Sequence, residues 1–173
     1  MPYCSSDAWV GNIGASNFTW GWAFRGQRIL AAAIHSLVQT QGLGAKTDSG
    51  QPRLLLSGCS AGARGAMMNL DYIDGILEGA GIPSGTVEVQ GLLDSPLWVN
   101  VEPTTPHIMP LSNETRAVYE FVNATGRLGP LCAETFPAIE DRWMCMFGQY
   151  RSASPCARWL ALLRCLSCAL MRG

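Results

Sequence analysis

The sequence predicts an α/β fold in which helices cover a parallel sheet within one domain. Three observations carry this expectation. Helical and strand-like apolar patterns alternate between residues 24 and 95, as they do where crossover helices join parallel strands. The chain has 173 residues, 48% of them apolar and 14% charged, which suits a buried core and excludes a disordered tail. Glycine occurs 19 times, above the ~7% of an average chain, so many tight turns are expected. Twelve Lys+Arg against 13 Asp+Glu leave a net charge of −1, with no basic excess to bind nucleic-acid phosphates.

The elements follow in order. Residues 8–23 are rich in Gly, Asn and Trp without a period and read as a loop. From Phe24 to Gln41, Ile29, Ala33, Ile34, Leu37 and Val38 recur at helical spacing, and Gly42 is a natural stop. Arg53-Leu54-Leu55-Leu56-Ser57 is a short apolar run, expected as a buried parallel strand. A helix is expected from about Ala61 to Gly79, with Ala66, Met67, Leu70, Ile73 and Leu77 on its apolar face. Val87, Val89, Gly91 and Leu92 form the next strand, ending at Asp94-Ser95. A proline-rich loop follows, then a helix from Asn113 to Asn123 and a short helical segment from Glu134 to Arg142. The most apolar stretch, Trp159 to Leu170, contains Arg164 and is shorter than the ~20 residues of a membrane span, so no span is expected.

Seven cysteines, an odd number, leave at least one without a partner in this chain. Cys132 and Cys145 bracket the short helical segment and suit a local disulfide, whereas Cys4 is expected to have lost a partner upstream. Three of the six asparagines begin N-x-[ST] sites (Asn17, Asn113, Asn123), which points to a secretory route where disulfides persist. No signal peptide follows Met1. Cys165-Leu166-Ser167-Cys168, even with Cys156, falls short of a closed zinc shell. No metal or organic cofactor is expected.

The chemistry is concentrated in Ser57-Gly58-Cys59-Ser60-Ala61-Gly62, a G-x-S-x-G motif directly after a strand and before a helix. A sharp strand-to-helix turn presents such a serine at the carboxyl end of the sheet. Ser60 is the candidate nucleophile, and the backbone amide of Ala61 the candidate oxyanion donor. Cys59 reads as a small packing residue. The bland alternative makes Ser60 a helix cap in a tight turn.

These residues resemble the pectin acetylesterase/Notum family of serine carboxylesterases. The likeness runs through Pro2-Tyr3-Cys4-Ser5-Ser6-Asp7, Phe24-Arg25-Gly26, Leu55 to Gly62, Asn69, Asp71, Asp94-Ser95 and Trp143-x-Cys145-x-Phe147-Gly148. It implies an α/β-hydrolase-like parallel sheet, with residues 1–150 a partial domain of that kind and 151–173 a non-matching tail. It also implies carboxylic ester hydrolysis through Ser60, on an acetylated polysaccharide or an acylated secreted protein. Secretion or a cell-wall location comes with the resemblance. The Tyr-Cys-Ser-Ser-Asp opening is closer to the Notum side, and Ser-Gly-Cys-Ser-Ala-Gly to the plant pectin esterases. Ala63 and Pro96 stand where relatives carry glycine.

In that fold the chain order is Ser, then Asp, then His. The family's acid and histidine fall after the Phe-Gly-Gln-Tyr region, and residues 152–173 contain no Asp, Glu or His. The chain is therefore expected to be cut at both ends and to have little or no activity by itself. Only His35 and His107 are present. His35 lies within the first helix, where a solvent-facing or packing duty is expected rather than catalysis. Asp94 and His107 satisfy the order after Ser60, although neither matches the family's own acid or histidine. The rival expectation is a non-catalytic binding remnant of the same fold.

Overall fold

The structure, a computed structural model, describes residues 5–45, 50–95, 98–129 and 131–151. The expectations for Cys4, Cys156, Cys165 and Cys168, and for the tail after Arg151, lie outside the described residues.

Helix α1 spans Gly26–Gln41 and stops where Gly42 takes φ 67, its N–H donating to the Leu37 carbonyl. Glycine suits that left-handed turn because it has no Cβ to clash. The buried stripe of α1 differs from the expected one. Leu30 and Ile34 are buried together with Gln27, whereas Ile29 and Leu37 are 38% and 39% exposed. Gln27 turns the helix inward because its Nε2 donates to the Val10 carbonyl at 2.6 Å.

Strands β1 (Arg53–Cys59) and β2 (Glu88–Asp94) pair in parallel, with Leu54 opposite Val89 and Cys59 opposite Asp94. The connecting helix is broken into α2 (Ala61–Asn69), a 3-10 turn (Leu70–Tyr72) and α3 (Ile73–Gly79). The break falls at buried Asn69, whose Nδ2 donates to the carbonyls of Gly65 and Trp9 while its Oδ1 accepts from Arg127 Nε at 2.7 Å. An asparagine side chain that bonds its own helix carbonyl competes with the regular ladder. The expected apolar face survives the break, since Ala66, Met67, Leu70, Ile73 and Leu77 are all buried.

All three helices lie on one side of the sheet. Leu54, Leu56 and Val89 pack with Leu30, Ile34, Ile73 and Leu77, and Leu93 joins the cluster around Met67 and Met68. The opposite face is uncovered among the described residues, leaving Leu55 56% and Leu92 42% exposed. The run 53–57 is therefore half-buried rather than buried on both faces, because the helices share one side.

Helix α4 (Leu111–Phe121) is followed by a 3-10 turn (Ala124–Arg127), α5 (Cys132–Thr135), a 3-10 segment (Ile139–Met146) and α6 (Gly148–Arg151). The expected helix 134–142 is interrupted at Pro137, which has no N–H to continue it. Cys132 and Cys145 are bonded, with Cα atoms 6.0 Å apart and a sequence separation of 13. Closing a loop of that size contributes about 3 kcal/mol in the chain-entropy account. No helix among the described residues is long and apolar enough to cross a membrane.

The segment before α1 is tied down by Asp7, which is buried. Its carboxylate accepts the backbone N–H groups of Trp9 (3.0 Å), Gly11 (3.2 Å) and Gly26 (2.8 Å). This knot brings residues 8–9 against α2, where a Cβ at Gly65 would stand 2.5 Å from the Ala8 carbonyl oxygen. The loop from 8 to 23 thereby becomes a support for the helix that follows Ser60.

Candidate active site

Ser60 is the single residue between β1 and α2, and its backbone takes φ 53, ψ −118. Few non-glycine residues adopt such a conformation, which costs of order 1–3 kcal/mol and persists only where the surroundings enforce it. The enforcement is visible. The Ser60 N–H donates to the Asp94 carbonyl at 2.9 Å, and the Ser60 carbonyl accepts the Arg64 N–H at 3.0 Å. Behind the turn, a Cβ at Gly58 would lie 2.2 Å from the Gly62 carbonyl carbon and 2.6 Å from the Ala63 nitrogen. Only glycine lets the end of β1 and the first turn of α2 approach that closely.

The two flanking glycines thus differ. Gly58 is required by backbone contact, while a Cβ at Gly62 would meet nothing within 4 Å among the described residues. Ala61 is the first residue of α2, so its N–H belongs to the helix-terminal donors that no helix carbonyl accepts. It lies at the positive end of the helix dipole, next to Ser60 in sequence.

Asp94 ends β2 opposite Cys59. Its Oδ1 accepts the Ser95 hydroxyl at 2.9 Å, and its proximity to Cys59 raises the thiol pKa. The carboxylate's charge and desolvation push the thiol in the same direction. Cys59 is exposed, so it is not the packing residue expected from its size; it projects from the uncovered face of β1. Its raised pKa keeps it protonated and a poor rival to Ser60.

His107 sits in the exposed loop before α4 at φ 70. Among the described residues it makes no hydrogen bond to Ser60 or Asp94. His35 packs beside Gly79 on α3. The structure therefore gathers Ser60, Ala61, Cys59 and Asp94 at one end of the sheet and leaves both histidines out of that cluster.

Sequence reasoning missed one neighbour of the elbow. Arg64, one helical turn beyond Ser60, is 6% exposed and stacks on the Trp98 ring at 4.3 Å from its centroid. Burial pushes its pKa down to about 10, which leaves it charged at neutral pH. The available signal was an arginine in a run of glycine and alanine four residues after the serine.

Comparison with known proteins places these observations in a lineage. The pectinacetylesterase family profile matches residues 1–154. Palmitoleoyl-protein carboxylesterase notum1' of Xenopus laevis is 32% identical over 152 residues, covering 86% of this chain and 29% of the relative. The NOTUM palmitoleoyl-protein carboxylesterases of Drosophila melanogaster and Homo sapiens are each 32% identical over 86% of this chain, and over 21% and 29% of their own lengths. The solved structure of the Wnt deacylase Notum from Drosophila superposes with a TM-score of 0.71 at 31% identity, covering 88% of this chain and 40% of that one. The chain thus spans less than a third of the length of these curated relatives.

Proposed function

Because the chain belongs to the pectinacetylesterase family, we propose that its strand-to-helix elbow is the acyl-accepting site of a carboxylic ester hydrolase, with Ser60 as nucleophile. The observation that carries this is the enforced Ser60 backbone at φ 53, held by the Asp94 carbonyl and the glycine contact below it. A helix cap needs no such conformation, since capping residues sit in ordinary extended backbone.

The reaction follows from that placement. Ser60 Oγ adds to the ester carbonyl carbon as its proton passes to a base, and the carbonyl oxygen becomes an oxyanion facing the Ala61 amide. Collapse expels the carrier's hydroxyl, which takes up the proton, and leaves an acyl-serine. Water then adds to that ester and releases the carboxylic acid, restoring Ser60. The carrier is an acetylated polysaccharide or an acylated secreted protein. The secretory route is supported by the Cys132–Cys145 bond and by the exposure of Asn17, Asn113 and Asn123.

The base is the weak point of this chain. Neither of its two histidines is hydrogen-bonded to Ser60 among the described residues, and the Asp94 carboxylate accepts the Ser95 hydroxyl. An unassisted serine hydroxyl is a weak nucleophile at neutral pH, and loss of a triad member leaves ~10³–10⁴-fold acceleration over water at most. The 173-residue chain is therefore expected to hydrolyse p-nitrophenyl acetate at neutral pH no faster than its Ser60→Ala variant. Ser60-dependent turnover at the rate of an ordinary esterase would show that the chain holds a base after all.

A further inference from the structure

The ester chemistry at Ser60 makes no use of an aromatic patch in the loop before α1. Phe18 and Trp20 are 62% and 80% exposed, yet both rings are held in place. Each packs on Phe121 at the end of α4, with centroids 5.3 and 5.6 Å apart, and Phe24 braces Phe121 from another side at 5.2 Å. Rings fixed in this way keep their outer faces in water, an unfavourable state for large apolar surface that nothing covers. Asn17 stands in the same turn and is exposed. Its carbonyl accepts the Trp20 N–H at 3.2 Å, so Asn17 and Trp20 are the first and last residues of a tight turn, with Phe18 beside Asn17. Thr19 is buried, and its Oγ1 accepts the Ser16 N–H at 2.9 Å, which fixes the inner side of that turn. Asn17-Phe18-Thr19 is also one of the three N-x-[ST] sites, and it alone has aromatic neighbours of this kind. The three residues after Asn113, and the three after Asn123, include no aromatic ring.

We propose that Asn17 is an N-glycosylation site and that the first sugar of its glycan, an N-acetylglucosamine, covers the Phe18–Trp20 platform. The donor is an oligosaccharide linked to a lipid diphosphate. Asn17 Nδ2 bonds to C1 of the first sugar as the C1–O bond to the diphosphate breaks; the diphosphate leaves with that electron pair, and the amide gives up one proton. The pyranose is then tethered within the turn that carries both rings. Its C–H groups carry partial positive charge and meet the negative faces of the aromatic rings, while the apolar area between them leaves water. The proposal rests on the secretory route read above and is independent of the role of Ser60.

The test uses the full chain, carried into the secretory pathway of cultured cells by an appended signal sequence. Enzymatic release of N-glycans in heavy-oxygen water, followed by peptide mass mapping, should find Asn17 converted to labelled aspartate in most molecules. Asn17→Gln made in the same cells should unfold about 2–4 °C lower than wild type. That difference should vanish in a Phe18→Ser, Trp20→Ser background, and also in protein made in bacteria, which carries no glycan. Trp20→Ser alone changes only an exposed ring and serves as the reading should the double variant fail to fold. An unoccupied Asn17, equal unfolding temperatures of wild type and Asn17→Gln, or a loss that persists without the rings or without the glycan would overturn the proposal. Dimers of the glycosylated chain that Trp20→Ser disperses would overturn it too, since they would assign the platform to a second copy. Because the appended signal supplies the route, a negative result counts against the glycan and its platform and not against secretion of the native chain.

Discussion

Replacing Gly58 by alanine is expected to lower stability by about 3 kcal/mol or more and to abolish any reactivity of Ser60. The added Cβ would stand 2.2 Å from the Gly62 carbonyl carbon and 2.3 Å from its oxygen. Both are backbone atoms, so no side chain can swing aside. Either the first turn of α2 lifts from the end of β1, or β1 loses its register against β2, where Gly58 lies opposite Leu93. Either movement releases the Ser60 turn. Gly62→Ala provides the contrast: its Cβ meets nothing within 4 Å, and alanine favours a helix over glycine by ~1 kcal/mol. Urea denaturation of the two variants should therefore move the midpoint in opposite directions, Gly58→Ala down and Gly62→Ala up or unchanged. Equal losses in both would mean that the motif's glycines act through something other than backbone approach.

The second large effect is at Asp7, far from the chemistry in sequence. Three backbone N–H groups converge on its buried carboxylate, and Asp7→Ala removes that shared acceptor. An unsatisfied buried donor costs roughly 1–3 kcal/mol, and bonds to a charged acceptor are at the upper end. The expected loss is about 3–5 kcal/mol, a large part of the ~5–15 kcal/mol that holds a domain together. Asp7→Asn should restore only part of it. Oδ1 serves Trp9 while Oδ2 serves Gly11 and Gly26, and an amide nitrogen on either side would face a donor. Thermal unfolding of the two variants checks the order wild type, Asn, Ala. Because residues 8–9 brace α2 at Gly65, the loss should extend to the helix that carries Arg64.

What the sequence made legible was local. Helix α1 and its stop at Gly42, the two strands, the bonded pair Cys132–Cys145 and the strand–serine–helix turn each have a signal within a few residues. What it hid was set by tertiary partners. Nothing near Ile29 and Leu37 announces that Gln27 will rotate α1 inward by bonding Val10. Nothing near Asn69 announces that Trp9 and Arg127 will meet its side chain and break the helix. The run Leu54-Leu55-Leu56 reads as buried throughout, yet which face receives helices depends on connections that no short window contains. At the site, the turn holding Ser60 was legible from the motif, whereas the pairing of Cys59 with Asp94 and the Arg64–Trp98 stack depend on β2 lying beside β1.

The order Ser60, Asp94, His107 shows how far chain order can mislead. It meets the sequence requirement of a triad, but the Asp94 side chain accepts the Ser95 hydroxyl, and His107 stands in an exposed loop with no hydrogen bond to Ser60 or Asp94 among the described residues. A triad is a statement about geometry, and here the geometry supplies the strand-to-helix turn at Ser60 with no histidine hydrogen-bonded to it among the described residues.

Site-resolved labelling of the full chain with a fluorophosphonate, followed by peptide mass mapping from pH 6 to pH 10, tests that account most directly. The predicted result is label on Ser60 alone among the serines, slow at neutral pH and rising steadily with pH because no histidine among the described residues is hydrogen-bonded to it, and absent in Ser60→Ala. Label spread evenly over exposed serines would contradict the role of the elbow. Rapid labelling of Ser60 that levels off near pH 7 would show that a base acts on it and contradict the account.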